Sequence, residues 1–577
     1  MKLKLLEQLK KQPKLLVALG ASLGMVAGGA VAWMLVQQKP TAVGLPAGSE
    51  VLPQETVALF SFSTNENQLQ QLRRLGTLES QSALDRTVAD WRDRFLTSNN
   101  LNFDRDIKPW VGDEMTVAFL SAAQQATESP VIVLPIAHPE KAQQAFATPK
   151  VASGQEAVDR DYKGFKIREV HGQTDRAYAA AVIDNRLVVV SPDPKAIEQA
   201  IDVYRGKTSV VQAPGYAQAF RQLETTANPF VRFYLSVPQS IALAANNPMQ
   251  PLPPQMLIPF QANQGFVAIG TVDRQTVNFE GVGWLPNDSK IRYRTGDQDD
   301  RITTLLPAET LLVNSGDSFK QFWQSIDLPQ ENAPRGTFNP SLVRQSFGNL
   351  TGLDFDKDMA AWMDGEYAIS LISAPPASPA NQSTNPQTNQ SRAGILLLAQ
   401  TSDRRKAEQT FQKLDAVMGD RYRFQVTEAQ LGGKPVTTWV SPFSSLSITH
   451  GWLDGNVAFI AIGPNLASTI LPAPASALAQ NTLFQSATES NFQSTDGHFF
   501  LDLDRLATPN LPLPLPKLAP NDQKAVNAIR AIGATTAAQD GRTMRYDIQI
   551  LMNQSSKAPT AQSSPSPNPS PSTESSP

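Results

Sequence analysis

The longest apolar run in the chain is Leu15 to Val36, 22 residues without a charge. As an α-helix it is about 33 Å long, enough to cross the hydrocarbon core of a bilayer. The pattern then changes. Short runs such as Thr56–Phe62, Val131–Ile136 and Leu187–Val190 are apolar or alternate with polar residues, and Gly, Asn, Asp or Pro follow them, which predicts strands. Between them lie amphipathic stretches with helical spacing: a long one at about 66–97 and shorter ones at 139–147 and 193–204. Tight turns predict antiparallel or mixed sheets with helices packed on one face, the α+β class.

Five lysines precede Leu15 and one lysine lies in the fourteen residues after Val36. The positive-inside rule therefore makes residues 1–14 a cytoplasmic stub, 15–36 a transmembrane anchor, 37–49 a linker, and the body periplasmic or, in a photosynthetic bacterium, thylakoid-lumenal. A cleaved signal peptide with a site near Ala30-Val31-Ala32 is the alternative, but the run is longer than an h-region and continues through Trp33 to Val36. Gly20, Gly24 and Gly28 form a small-xxx-small face on which two such helices could dimerise.

The body repeats itself. LNFDRDIKPWVGDEMTVAFL (101–120) aligns without a gap on LDFDKDMAAWMDGEYAISLI (353–372), pairing Phe103, Asp104, Asp106, Trp110 and Glu114 with Phe355, Asp356, Asp358, Trp362 and Glu366. Upstream, LPQETVALFSF matches LPAETLLVNSG; downstream, a strand and helix at 131–146 match 395–411, and two hairpins recur. This predicts two tandem copies at 50–286 and 304–553, joined by a charged connector at 287–303. A Pro/Ser/Asn/Gln insertion at 374–391 and a Ser/Pro tail at 554–577 are predicted to be disordered.

Composition narrows the chemistry. No cysteine and four histidines leave few soft or imidazole ligands, which argues against zinc and iron–sulfur sites, and a lipoprotein anchor is excluded. Residues 1–40 carry +5 of a whole-chain net charge of −3, which leaves −8 on the body, a poor match for nucleic acid. Asp354, Asp356 and Asp358 occupy the first positions of a calcium loop, but Met359 stands where its glycine belongs and Gly365 where its bidentate acid belongs. The acids are instead expected to cap a short helix whose Trp110 or Trp362 packs inward. Gly206-Lys207-Thr208 lacks the first glycine of a phosphate loop. His138, His171, His450 and His498 have no histidine counterpart in the other copy. No catalytic, cofactor or metal residue is therefore assigned.

At the Phe-Asp-x-Asp-x-x-x-Trp block, with its Leu-Pro start and following strand, helix and hairpin, the sequence resembles the uncharacterised, mainly cyanobacterial domain of unknown function family 3352. The resemblance implies an envelope location and adds no catalytic residues. One further feature is duplicated. PLPPQMLIP (251–259) and PNLPLPLPKLAP (509–520) interleave leucine with proline, and Leu252, Met256, Leu257, Leu511, Leu513 and Leu515 are candidates for docking a protein partner or the membrane surface. The reading is a membrane-anchored extracytoplasmic protein of binding or structural function. Its alternative is a carboxylate-based hydrolase with a site between the two repeats.

Overall fold

A computed structural model describes residues 44–96, 101–120, 130–147, 155–172, 178–223, 229–246, 262–273, 275–294, 301–326, 340–373, 393–442, 446–506 and 520–553. The anchor with its glycines, the insertion, the tail and both Leu/Pro segments lie outside these residues. Among the described residues, no helix is long and apolar enough to cross a membrane.

The first half contributes ten strands: β1 (Thr56–Ser63), β2 (Glu114–Leu120), β3 (Pro130–Pro135), β4 (Gln155–Tyr162), β5 (Phe165–Gly172), β6 (Tyr178–Ile183), β7 (Leu187–Ser191), β8 (Val231–Ser236), β9 (Gly265–Asp273) and β10 (Thr276–Trp284). The second contributes β11 (Thr310–Gly316), β12 (Tyr367–Ser373), β13 (Ala393–Gln400), β14 (Gln425–Leu431), β15 (Lys434–Val440), β16 (Ser447–Trp452), β17 (Val457–Ile462), β18 (Gly497–Asp502), β19 (Ile529–Ala538) and β20 (Thr543–Met552). Every pairing is antiparallel, and all twenty strands form one sheet. The first half runs β4-β5-β6-β7-β3-β2-β1-β8-β9-β10 from its outer edge inward. The second half, from the opposite edge, runs β14-β15-β16-β17-β13-β12-β11-β18-β19-β20. Each position in the second order is the first raised by ten. The ladders agree in detail: a register shift falls between Thr56 and Ala58 in β1 and between Thr310 and Leu312 in β11.

The two inner edges meet. β10 pairs with β20 over nine residues, from Thr276↔Leu551 to Trp284↔Thr543. Alternation then sorts side chains to two faces. On one face Leu59, Val131, Ile167 and Tyr234 pack beneath helices Pro194–Tyr204 and Tyr216–Gln222, and in the second half Val313, Leu396, Phe459 and Phe500 pack with Phe484. On the other face Phe60, Phe119, Phe266 and Val277 of the first half share a core with Tyr546 and Ile550 of the second. Helix Pro520–Asn527 crosses to pack on helix Leu78–Phe95.

Helices therefore cover both faces, not one as the pattern predicts. Strands with apolar residues at both parities, such as Val57 to Phe62, must be covered twice, and the count of helices alone does not reveal this. The long helix expected at 66–97 is two, Glu66–Arg73 and Leu78–Phe95, because Gly76 adopts φ +78° between them, a left-handed position at which a helix ends.

Trp110 and Trp362 hold down corresponding corners. Each is 2% exposed, and each indole Nε1 donates to the carbonyl four residues back: Trp110 to Asp106 O (2.6 Å) and Trp362 to Asp358 O (2.9 Å). Replacing either with alanine removes a large buried ring and is expected to cost about 3–5 kcal/mol in chemical denaturation. A loss under 1 kcal/mol at either position would contradict its role as a core anchor.

Candidate functional site

The repeated signature proves to be a helix-entry device. Asn102 and Asp354 are the cap residues: Asn102 Oδ1 accepts the Arg105 N–H (3.1 Å) and Asp354 Oδ1 the Lys357 N–H (3.1 Å). Asp106 and Asp358 reach back to accept the N–H of those caps, at 2.8 and 2.9 Å. The expectation that all four signature aspartates cap is therefore corrected. Asp104 is an exposed acid 3.5 Å from Lys108, and Asp356 accepts Trp323 Nε1 (2.6 Å) and Arg344 Nε (2.7 Å), because at that point of the turn a side chain faces away from the free amides. Phe103 is buried, and Phe355 packs on Trp323 with ring centroids 4.5 Å apart.

Glu114 and Glu366 stand at the starts of β2 and β12, and here the halves diverge. Glu114 Oε1 accepts from Arg232 Nη1 at 2.5 Å, an ion pair in which both side chains are largely buried, and Glu114 Oε2 accepts the Ala47 N–H (3.3 Å). Glu366 keeps the backbone bond, from the Arg301 N–H (3.4 Å). The matched registers Phe60↔Phe233 and Asn314↔Phe499 place His498 where Arg232 stands. Thr535 donates its proton to Thr488 O (2.7 Å), so His498 Nδ1 is the donor in its 3.0 Å bond to the Thr535 hydroxyl. Asp317 replaces Ser63 just beyond β11, and Asp496 replaces Phe230 just before β18.

Where the first half pairs Glu114 with Arg232, the second half places Asp317 near Asp496 and Glu366. Burial, and then Asp496 and Glu366 alongside, push the Asp317 carboxyl up to about 8, against a smaller pull from Arg294. Burial also raises Asp496, although its carboxylate accepts the Ala538 N–H. The Tyr367 hydroxyl, which accepts from Asn314 Nδ2 (3.2 Å), is raised by burial. The half-buried pair can hold a proton at neutral pH, which is what a general acid requires.

Asp317 and Asp496 are absent from the signature. The signal that finds them is a difference between the halves at matched strand positions, and only the His498/Arg232 difference stands out in the bare alignment. Of the other histidines, His450 Nε2 shares Asp415 Oδ1 with Trp439 Nε1 (2.8 and 2.6 Å), and His138 and His171 are exposed. Lys207 is tied to Asp202 at 2.7 Å. Among the described residues, no group of three or more His, Asp or Glu side chains is placed to hold a metal ion.

The model of a family described as "Protein of unknown function (DUF3352)" matches residues 16–552. The chain belongs to the DUF3352 family. No curated protein matches the sequence. Among solved structures, crystal form I of TP0453 is similar at 10% identity and TM-score 0.24, covering 44% of this chain and 82% of that one. Crystal form III of TP0453 is similar at 13% identity and TM-score 0.23, over 45% and 84%.

The raised Asp317 carboxyl sets a pH dependence. A carboxyl raised in the folded state contributes stability that is complete below the unfolded value of about 4 and is lost as pH rises through its folded value. Asp317→Asn is expected to flatten the fall in Tm between pH 4 and pH 8, gaining most at pH 8. An equal shift at both ends would contradict the assignment.

Proposed function

We infer that this DUF3352 protein is a membrane-anchored extracytoplasmic protein whose body, two copies of one α+β unit, acts by binding or structural contact. The observation that carries the reading is the 22-residue uncharged run at Leu15–Val36 with five lysines before it and one shortly after. The two-copy organisation is supported by the strand order, which repeats from either edge of the sheet, and by the shared positions of the bulges and caps. The Leu/Pro segments around Leu257 and Leu513 are the proposed docking surfaces, and the face of Gly20, Gly24 and Gly28 the proposed contact between anchors.

A second reading, an extracytoplasmic hydrolase, is favoured by one feature: two half-buried aspartates with raised carboxyls beside Glu366. General-acid chemistry needs such a group, but it also needs a base or nucleophile across a substrate. These acids gather at strand ends of the second half, and their neighbours Asn314, Tyr367 and Ala538 are engaged in bonds within the fold. Binding therefore remains the favoured reading.

Topology tests the proposal. Protease added to intact spheroplasts is expected to digest the body while an N-terminal tag stays protected. Digestion of the tag with protection of residues 44–553 would reverse the orientation and end the proposal.

A further inference from the structure

Two strands of the sheet pair on one side only among the described residues, β4 and β14. β4 is defended by Glu156, Asp159, Arg160 and Asp161, whereas β14 (QVTEAQL) holds one charge, Glu428, and six of its seven residues are exposed. The hairpin fixes which backbone groups are open. β14 turns into β15 through Gly432 and Gly433, both at positive φ, so Leu431↔Lys434 is the closing hydrogen-bonded pair. Counting back by twos, residues 425, 427, 429 and 431 bond to β15, and the N–H and C=O groups of Val426, Glu428 and Gln430 point outward.

Apolar surface lies beside this edge. The hydroxyl of Tyr422, three residues before β14, donates to Leu350 O at 2.9 Å and brings the end of helix Pro340–Thr351 alongside. Leu350 is 52% exposed, and Leu342, two turns earlier, is 59% exposed. Val426, also exposed, stands opposite Trp439, whose core the same helix covers with Val343 and Phe347, so Val426 and the helix share one face of the sheet. The seam within the molecule shows how such an edge is satisfied. β10 and β20 hold corresponding places in the two strand orders, and they pair antiparallel about a local two-fold at Glu280 and Asp547, with a shared core on one face.

We propose that β14 pairs with β14 of a second copy of this chain, antiparallel about a two-fold axis perpendicular to the sheet, with Leu350 of each copy packed beside the new ladder. Two registers keep Glu428 off its own copy while pairing five residues of each strand: Thr427 on the axis pairs 425–429, and Ala429 on the axis pairs 427–431. The register centred on Glu428 would set like charges directly opposite each other, which destabilises. A foreign strand is the poorer occupant, because sites that read one hold its alternate side chains in pockets, and β14 is open on both faces. Charges on β4 leave the assembly closed at two copies rather than growing from both edges. The inference does not depend on the orientation of the membrane anchor.

The test uses the full chain in native membranes with single cysteines, which the cysteine-free sequence allows. A residue on the axis meets its own copy in a non-hydrogen-bonded pair with Cα atoms about 4.5 Å apart, within disulfide range. Thr427→Cys or Ala429→Cys is expected to give a disulfide-linked dimer on mild oxidation. Val158→Cys, exposed on β4 and brought together equally by any contact between anchors, is expected to give none. Glu428→Pro removes an outward N–H while leaving the bonds to β15, and adding it is expected to abolish the cross-link. Leu350→Lys, which alters no backbone bond, is expected to reduce it severalfold. No dimer from either cysteine, as much dimer from Val158→Cys, a cross-link that survives both added substitutions, or a product joined to a different protein would each overturn the proposal.

Discussion

The antiparallel ladder between β10 and β20 is the interaction on which the rest of the molecule depends. Without it each half would present a nine- or ten-residue inner edge of unpaired backbone, a template for aggregation. With it, twenty strands share one sheet, and Val277, Tyr546 and Ile550 close a core to which both halves contribute. The ladder also carries a penalty at its centre. Glu280 stands directly opposite Asp547, and burial, then the neighbouring acid, raises the Glu280 carboxyl, while Arg545 pulls the other way. Like charges opposed across strands destabilise by about 0.2–1 kcal/mol, a small loss beside nine ladder pairs and a shared core.

Fusion at the inner edges sends the unpaired edges outward. β4 carries Glu156, Asp159, Arg160 and Asp161, which discourage further pairing. Its counterpart β14 carries only Glu428, and six of its seven residues are exposed. The same division appears inside the halves. The first keeps a buried Arg232–Glu114 pair and a cleft lined by Phe146 and Val182; the second packs Phe411, Trp439, His450 and Trp452 together and gathers Asp317 and Asp496 at its strand ends. On the two-copy reading, one scaffold has specialised in two directions: space in the first half, packed aromatics and gathered acid in the second.

Much of this was legible from residues alone, and what was not has physical causes. The signature block marked both tryptophan corners because a buried ring and its caps need fixed identities at fixed spacing. The hairpin read at Asp184-Asn185 has positive φ at both residues, and the one read at Asp454-Gly455 has it at Gly455 and Asn456, one residue later, because positive φ restricts which residues can turn there. The seam was not readable: β10 and β20 have the same alternating pattern as any half-buried strand, and pairing partners 259 to 275 residues apart leave no local mark. Nor was the acidic cluster, since Asp317, Glu366 and Asp496 are scattered along the chain and meet only at strand ends. The aspartates read as helix caps were half correct, because spacing alone does not say which of two acids in a turn faces the free amides.

The most direct test of this architecture exploits a chain without cysteine. Asn278 and Gln549 are paired across the seam, so cysteines at these two positions should form a disulfide on mild oxidation of the full chain. After proteolytic cleavage in the connector, the two halves would then migrate together on a non-reducing gel and separate on reduction. Thr438 and Thr449, paired within the second half with hydroxyls 3.0 Å apart, serve as the control pair. The account predicts efficient cross-linking of both pairs. Cross-linking of the control with none between 278 and 549 would show that the halves are not joined through these strands, and the one-sheet account would fall.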